Sequence, residues 1–266
     1  MADPPYNIGK DFGVVKDRLP LGRYLEWTQA WLGECRRLLA ADGVIYVYGY
    51  PEILARVAAR YPVEEQRWLV WHYTNKAAPA SSFWQRSHES ILCLWRAGAP
   101  RPALEVEQIR EPYTSGYRSS LGQRRAATAG RFGGARGAAT RYRDHGGALP
   151  RDVIKIPALA GGAGAKERWF ICHDCGGRAL PPAALAAHRG HRILKHPTQK
   201  PLALARRLLR SRIRGAGGRV LVPFAGSGSE CVAAQQLGIG YLGVEVNRDY
   251  LKLARKWLAH AAAGGL

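Results

Sequence analysis

Between residues 21 and 39 the apolar side chains fall at Tyr24, Trp27, Trp31, Cys35, Leu38 and Leu39, with Thr28 on the same stripe. That is a helical period with one buried face, and Cys35 reads as a core residue on it. An Asp42-Gly43 turn leads into Val44-Ile45-Tyr46-Val47-Tyr48, a short unbroken apolar run that predicts a buried strand. Residues 51–60 read as a helix opened by Pro51, and 67–72 and 90–95 as two further strands. Towards the carboxyl end, a helix follows Pro201 to about residue 214, with Leu202, Ala205, Leu208, Leu209 and Ile213 on one face. A β-branched run, Val220-Leu221-Val222, enters a glycine turn, a helix spans 230–237, and a second short strand ends at Glu245. Helices and strands in alternation predict an α/β protein with a doubly wound sheet.

Residues 96–150 break this rhythm. They are rich in Gly, Ala and Arg, with Arg118, Arg124, Arg125, Arg131, Arg136, Arg141 and Arg143 interleaved with Tyr113, Tyr117, Phe132 and Tyr142. So long a stretch without periodicity inside a compact domain is functional or disordered. Arginine with aromatics suits phosphate contact and base stacking. The whole chain leans the same way: forty Lys and Arg against twenty Asp and Glu give +20 and a pI near 10.3. An anionic partner follows, and double-stranded DNA fits better than a membrane, since no apolar run reaches about 18 residues. The arginine usage of a GC-rich genome is the alternative source of the charge, and the clustering at 118–143 weighs against it. Five cysteines, an odd number with no disulfide-like framework, suit a reducing cytoplasm.

Three short constellations carry chemistry. Asp3-Pro4-Pro5-Tyr6 combines a rigid diproline backbone, whose carbonyls are acceptors without competing N–H donors, with a carboxylate and an aromatic ring. Pro223-Phe224-Ala225-Gly226-Ser227-Gly228 sits between a strand and a helix, where glycines let a ligand approach the backbone and the helix start offers free N–H groups. It is neither the dinucleotide G-x-G-x-x-G nor a phosphate-binding loop ending in Gly-Lys-Ser/Thr. The third is Cys172-x2-Cys175 followed by His188-x2-His191, whose ligand types suit a structural, tetrahedral Zn²⁺. Its histidine spacing is one residue shorter than usual, and a free thiol pair beside a loop is the competing reading.

In the order D-P-P-Y, basic insertion, His196-Pro197-Thr198-Gln199-Lys200-Pro201, F-x-G-x-G and an acid-terminated strand, the chain resembles the β group of DNA adenine-N6/cytosine-N4 methyltransferases dependent on S-adenosyl-L-methionine (AdoMet). The segment 81–89, ending in His88-Glu89, resembles a further family stretch. The resemblance implies a Rossmann-like fold with a mixed, mostly parallel sheet, circularly arranged so that the catalytic half precedes the cofactor half. Expected divisions are 1–95 for the catalytic half, 96–192 for target recognition with the Cys/His site, and 193–266 for the AdoMet half. Asp3, Pro4, Pro5 and Tyr6 become the expected catalytic residues, with Tyr6 stacking on a base turned out of the duplex. Phe224, Ala225, Gly226, Ser227, Gly228, Glu245, Asn247, Thr198 and Lys200 become the expected AdoMet contacts. His196 is assigned no catalytic role.

The implied reaction is methyl transfer to adenine N6 in DNA. The alternatives are cytosine N4, or a DNA-binding relative without catalysis. Protein-glutamine methyltransferases use Asn-Pro-Pro-Tyr, so Asp3 argues against them. Implied partners are DNA and a cognate restriction endonuclease, with the enzyme a monomer or homodimer. Two departures stand out. Val222 occupies a position where the family commonly has Asp, and the family carries a strand-helix-strand unit before D-P-P-Y. The resemblance therefore implies a segment upstream of Asp3 in the active protein.

Overall fold

The structure is a computed structural model that describes residues 1–14, 17–75, 82–127, 137, 139–160, 166–213 and 217–264. The chain divides into a larger unit, Met1–Leu104 with Asp152–Leu266, and a smaller one, Glu105–Arg151. These limits differ from the expected 96–192 insertion, because the Cys/His segment forms its contacts within the larger unit.

The larger unit is built on a four-stranded sheet. Strand β1 (Ile45–Gly49) pairs antiparallel with β3 (His88–Leu94), β3 antiparallel with β2 (Gln66–His72), and β2 parallel with β6 (Val153–Lys155). Side chains alternate across the sheet. Ile45, Val47, Leu92 and Leu94 face α1 (Leu21–Leu38) and α2 (Pro51–Ala58), together with Leu32, Leu54 and Val57. Tyr46, Tyr48, Ile91 and Cys93 face the other way, into a core shared with Leu204, Leu208, Val232, Leu253 and Trp257. Those residues belong to α4 (Leu202–Arg210), α5 (Ser229–Gln236) and α6 (Arg248–Ala262). Both faces are covered, which is why β1 and β3 read as unbroken apolar runs rather than alternating ones.

A parallel pair, β10 (Arg219–Val222) with β11 (Gly240–Gly243), lies beside this sheet. The first two residues of the chain link the two. The Met1 amino group donates to Leu221 O (2.8 Å), Ala2 N to Tyr46 O (2.8 Å), and Tyr48 N to Ala2 O (2.9 Å). Ala2 thus makes a parallel bridge to Val47. Around that bridge runs a groove of about 1190 Å³ lined by Leu39, Ile45, Leu208, Leu209 and Val220 among others. Strand pairing is therefore mixed, as the resemblance implies, but among the described residues it forms two ladders joined by Met1–Ala2 rather than one. The consequence for function is positional. Asp3 leaves the bridge at the same end of the sheet at which β10 delivers the glycine turn.

Three short strands, β8 (Arg178–Leu180), β7 (Phe170–Cys172) and β9 (Ile193–Lys195), form a separate antiparallel sheet in that order. The smaller unit contains a one-turn helix, α3 (Ser115–Ser119), capped by Thr114, and a two-residue ladder of β4 (Arg124–Arg125) with β5 (Thr140–Arg141). Its described residues thus carry local secondary structure where the sequence shows no periodicity. Tyr113 stacks on Tyr117 at 4.6 Å, and Tyr117 meets the edge of Tyr142 at 5.4 Å, which gives it an aromatic centre.

Candidate active site

Asp3, Glu89 and Lys200 come from three distant parts of the chain and meet in one buried cluster. Lys200 Nζ lies 2.9 Å from Asp3 and 3.4 Å from Glu89 Oε2, and its side chain is only 2% exposed against 12% and 14% for the two acids. The Tyr6 hydroxyl donates between the same acids, 2.8 Å from Asp3 Oδ1 and 2.9 Å from Glu89 Oε2. Rings close the remaining sides of the ammonium, with Tyr6, Tyr48 and Trp71 at 5.2, 5.4 and 5.9 Å. Burial alone would pull Lys200 towards neutrality, but Asp3 and Glu89 outweigh it and hold the ammonium charged. Burial pushes the Asp3 carboxyl above its ordinary range against the pull of Lys200. Burial and the two carboxylates raise Tyr6 far above its usual value, so its proton stays in place as a donor.

The glycine turn faces this cluster across a cavity of about 180 Å³ whose lining includes both Asp3 and Gly226. The expected residues Phe224, Ala225, Ser227, Glu245, Asn247, Thr198 and Lys200 line it too, as does Pro5. Gly228, Pro4 and Tyr6 are not in its lining. Gly228 instead starts α5 with φ +92°, and a Cβ there would lie 2.9 Å from Ala254 Cβ, so it serves close helix packing. Gly226, at φ +51°, would place a Cβ 2.7 Å from His196 Nε2. Tyr6 is buried, with the Tyr50 ring in a T-shaped contact at 5.3 Å.

Glu245 shapes the turn as well as lining the cavity. Its Oε2 accepts from Gly226 N (2.7 Å) and its Oε1 from Asn247 N (2.8 Å). Asn247 Oδ1 caps α6 at Asp249 N (2.9 Å), while its Nδ2 donates to Phe12 O (2.8 Å) and ties the segment after D-P-P-Y to the cofactor half. Phe224 is wedged between Trp27 (5.7 Å) and Trp31 (5.1 Å) of α1.

Several buried polar atoms around this cavity have no protein partner: Ser227 Oγ, Glu230 Oε1, Gln199 Oε1 and His196 Nδ1. Buried polar groups without partners are costly, and here they border a space that a polar ligand fits. Burial, with Lys200 and Arg168 adding to it, lowers His196 to about 3, so its imidazole is neutral. Burial, reinforced by Asp3, pushes Glu230 up to about 7.

A family model of the N6/N4 class, described as DNA methylase, matches residues 1–256. The chain belongs to the DNA methylase family. It is 27% identical over 265 residues to the type II methyltransferase M.HpaI of Haemophilus parainfluenzae, covering 97% of this chain and 67% of that one. It is 25% identical to the DNA adenine methyltransferase YhdJ of Escherichia coli K12, covering 97% and 74%. Among solved structures, the cytosine-N4-specific PvuII DNA methyltransferase aligns over 99% of this chain and 85% of its own, with a TM-score of 0.58 at 11% identity, a likeness of fold.

In this methylase, sequence reasoning missed Glu89 and Glu230. Glu89 follows His88 at the head of β3, in a stretch noted only as resembling a family segment and given no role. Glu230 is an acid in the first turn of a helix whose next four residues are all buried. Lys200 was expected at the cofactor and lines that cavity, but its charge is spent on Asp3 and Glu89. In the smaller unit Arg118, Arg124, Arg125, Arg141 and Arg143 are all exposed, and Arg125 lies over Tyr142 at 5.8 Å. Arg131 and Arg136 lie outside the described residues. The four Cys/His donors converge, with their ligand atoms within 4.8 Å of one another.

Two expectations follow. Lys200→Met strands two buried carboxylates and costs about 3–5 kcal/mol in urea unfolding, and adding Glu89→Gln recovers part of that loss. An unchanged midpoint would contradict the paired-charge account. Glu230 holds its proton in the folded state up to about 7 but only to its ordinary 4.5 when unfolded. Its contribution is therefore complete at low pH and declines as the pH rises through that window. Thermal melts from about pH 5 to 8 should show a steeper fall for the parent than for Glu230→Gln, and parallel slopes would reject it.

Proposed function

We propose that this chain methylates the exocyclic N6 of adenine in double-stranded DNA, with AdoMet as donor. The observation that carries the reading is the shared cavity: a diproline-borne carboxylate and a glycine turn face the same space. An exocyclic amino nitrogen is a poor nucleophile, because its lone pair is delocalised into the ring. Asp3 accepts a hydrogen of that amino group, which favours a pyramidal nitrogen with a localised lone pair. Lys200 pulls against the burial that raises Asp3, and both Lys200 and Tyr6 fix the orientation of its carboxyl as positioning residues. When bound, AdoMet would offer the nitrogen lone pair an electrophilic sulfonium methyl, with the carbon–sulfur electron pair left on sulfur. The proton released from nitrogen passes to Asp3 and then to water.

The residues present fit such a donor. The unpartnered Ser227 Oγ and Gln199 Oε1 offer polar contacts, Phe224 and Val244 give apolar surface, and Glu245 retains acceptor capacity beyond its two backbone bonds. Neither a cysteine nucleophile nor a covalent enzyme intermediate is called for: the buried Cys93 and Cys231 thiols are both pushed up to about 12, chiefly by burial. The exposed arginines of the smaller unit take DNA phosphates, and a cognate endonuclease reading the same site is the partner this role implies. No helix among the described residues is long and apolar enough to cross a membrane.

Asp3→Asn should lower methyl transfer by about 10²–10⁴-fold while calorimetry still detects AdoMet binding; a rate near the parent's would refute the role of Asp3. Digestion of the product to nucleosides separates N6-methyladenine from N4-methylcytosine by mass, and finding the latter would overturn the choice of base. Replacing Arg124 and Arg125 together by Ala should flatten the slope of log affinity for DNA against log salt by about 1–2. An unchanged slope would remove those residues from the phosphate contact.

A further inference from the structure

The Cys/His cluster lies apart from the methyl-transfer chemistry, and nothing in that chemistry uses it. Cys172 is the last residue of β7, and Cys175 sits in the turn that carries the chain into β8. Gly176 (φ +71°) and Gly177 (φ +64°) close that turn in the left-handed region. His188 ends the short 3₁₀ helix Pro182–His188, and His191 follows just before β9, the strand on the other side of β7. Register does the rest: Cys172 is opposite Arg178 on one side and Ile193 on the other, so the turn and the two histidines are folded onto the same end of the small sheet.

The distances match a metal site. Cys172 Sγ lies 3.3 Å and Cys175 Sγ 3.5 Å from His191 Nδ1, and all four donor atoms fall within 4.8 Å of one another. A tetrahedral Zn²⁺ with Zn–S near 2.3 Å and Zn–N near 2.0–2.1 Å needs ligand-to-ligand edges of roughly 3.3–3.8 Å. His188 Nδ1 bonds to Ala184 O at 2.8 Å, which leaves Nε2 as its ligand atom, with the ring already oriented. Asp174, between the two cysteines, accepts from Arg192 N (2.7 Å) and Arg192 Nε (2.8 Å), and so clips the cysteine turn to the residue after His191.

The short H-x2-H spacing, which counted against a metal, has a geometric answer. His191 turns its nearer ring nitrogen, Nδ1, to the sulfurs, and the two histidines sit on a tight turn, with His191 N donating to His188 O at 3.2 Å, rather than on an α-helix.

We propose that Cys172, Cys175, His188 and His191 bind one structural Zn²⁺. Two thiolates and two imidazoles select zinc over hard cations, and four protein ligands leave no open position for catalysis. The site is built into the larger unit at a useful place. Strand β9 runs directly into His196, whose carbonyl accepts from Arg168 (2.8 Å), and Gln199 donates to Glu167 O (2.8 Å). The metal module and the loop that carries Lys200 are therefore consecutive in the chain and held by the same neighbouring segment.

The test uses the full chain. After zinc reconstitution and gel filtration, elemental analysis should return one zinc per parent chain and well under half an equivalent for Cys175→Ser and for His188→Ala. Cobalt loaded in place of zinc should give the intense visible bands of a tetrahedral site together with thiolate charge transfer in the near ultraviolet. Weak, octahedral-type cobalt bands, or a parent chain that retains no stoichiometric zinc, would overturn the assignment. Because the cobalt spectrum is read on the parent chain, a variant that fails to fold leaves the test intact.

Discussion

One buried ammonium joins the two ends of this protein. Lys200 has almost no contact with solvent, yet it is held charged by Asp3 and Glu89 and enclosed by Tyr6, Tyr48 and Trp71. A buried charge persists only when its partners are in place, because the cost of an unpaired one is several kcal/mol. The cluster is therefore a condition on the fold: the diproline segment, the head of β3 and the loop before α4 must arrive together. It also sets two opposing influences on Asp3: burial raises its carboxyl above the ordinary range, and the neighbouring ammonium pulls the other way.

The opposite wall of the cavity depends on a second carboxylate used structurally. Glu245 takes the N–H groups of Gly226 and Asn247, one on each oxygen, and so sets the curvature of the glycine bend from the neighbouring strand. Asn247 extends this grip to Phe12, a few residues beyond Asp3. Lys200 and Asn247 thus fasten the two halves of the methylase beside the cavity, in addition to the Met1 bond to Leu221. Residues between the fastenings, Ser227 and Gln199 among them, keep unpartnered polar atoms because the protein itself offers nothing to fill that space.

What could be read from the sequence was local. The unbroken apolar run of Ile45 to Tyr48, the stripe on α1, the diproline and the glycine bend each depend on neighbours in the chain, and each appears in the structure near its expected bounds. What could not be read was long-range pairing. Nothing around Glu89 or Glu230 states which charge it will meet, and Lys200 looked like a cofactor contact because its own motif lies beside the cofactor half. The hydroxyl partners of Tyr6 were hidden for the same reason: nothing beside the diproline states that it will meet both Asp3 and Glu89. The local order of the smaller unit was not legible because it rests on rings at Tyr113, Tyr117 and Tyr142, which have no common period.

The basic character of the chain takes a different meaning once the units are separated. The smaller unit has nine arginines and four acids, a surplus of five out of the total of twenty, so most of the positive charge lies elsewhere. Charge alone therefore does not single out residues 105–151 as the DNA-facing part. What distinguishes them is chemistry at close range: exposed guanidinium groups beside aromatic rings, with Arg125 over Tyr142 and a Tyr113–Tyr117 stack beneath. A diffuse surplus over the whole surface would raise the local concentration of any polyanion, whereas this local pairing is the kind that can discriminate bases and sugars from phosphate. A DNA-facing role for the smaller unit would therefore rest on that local pairing and not on its share of the charge.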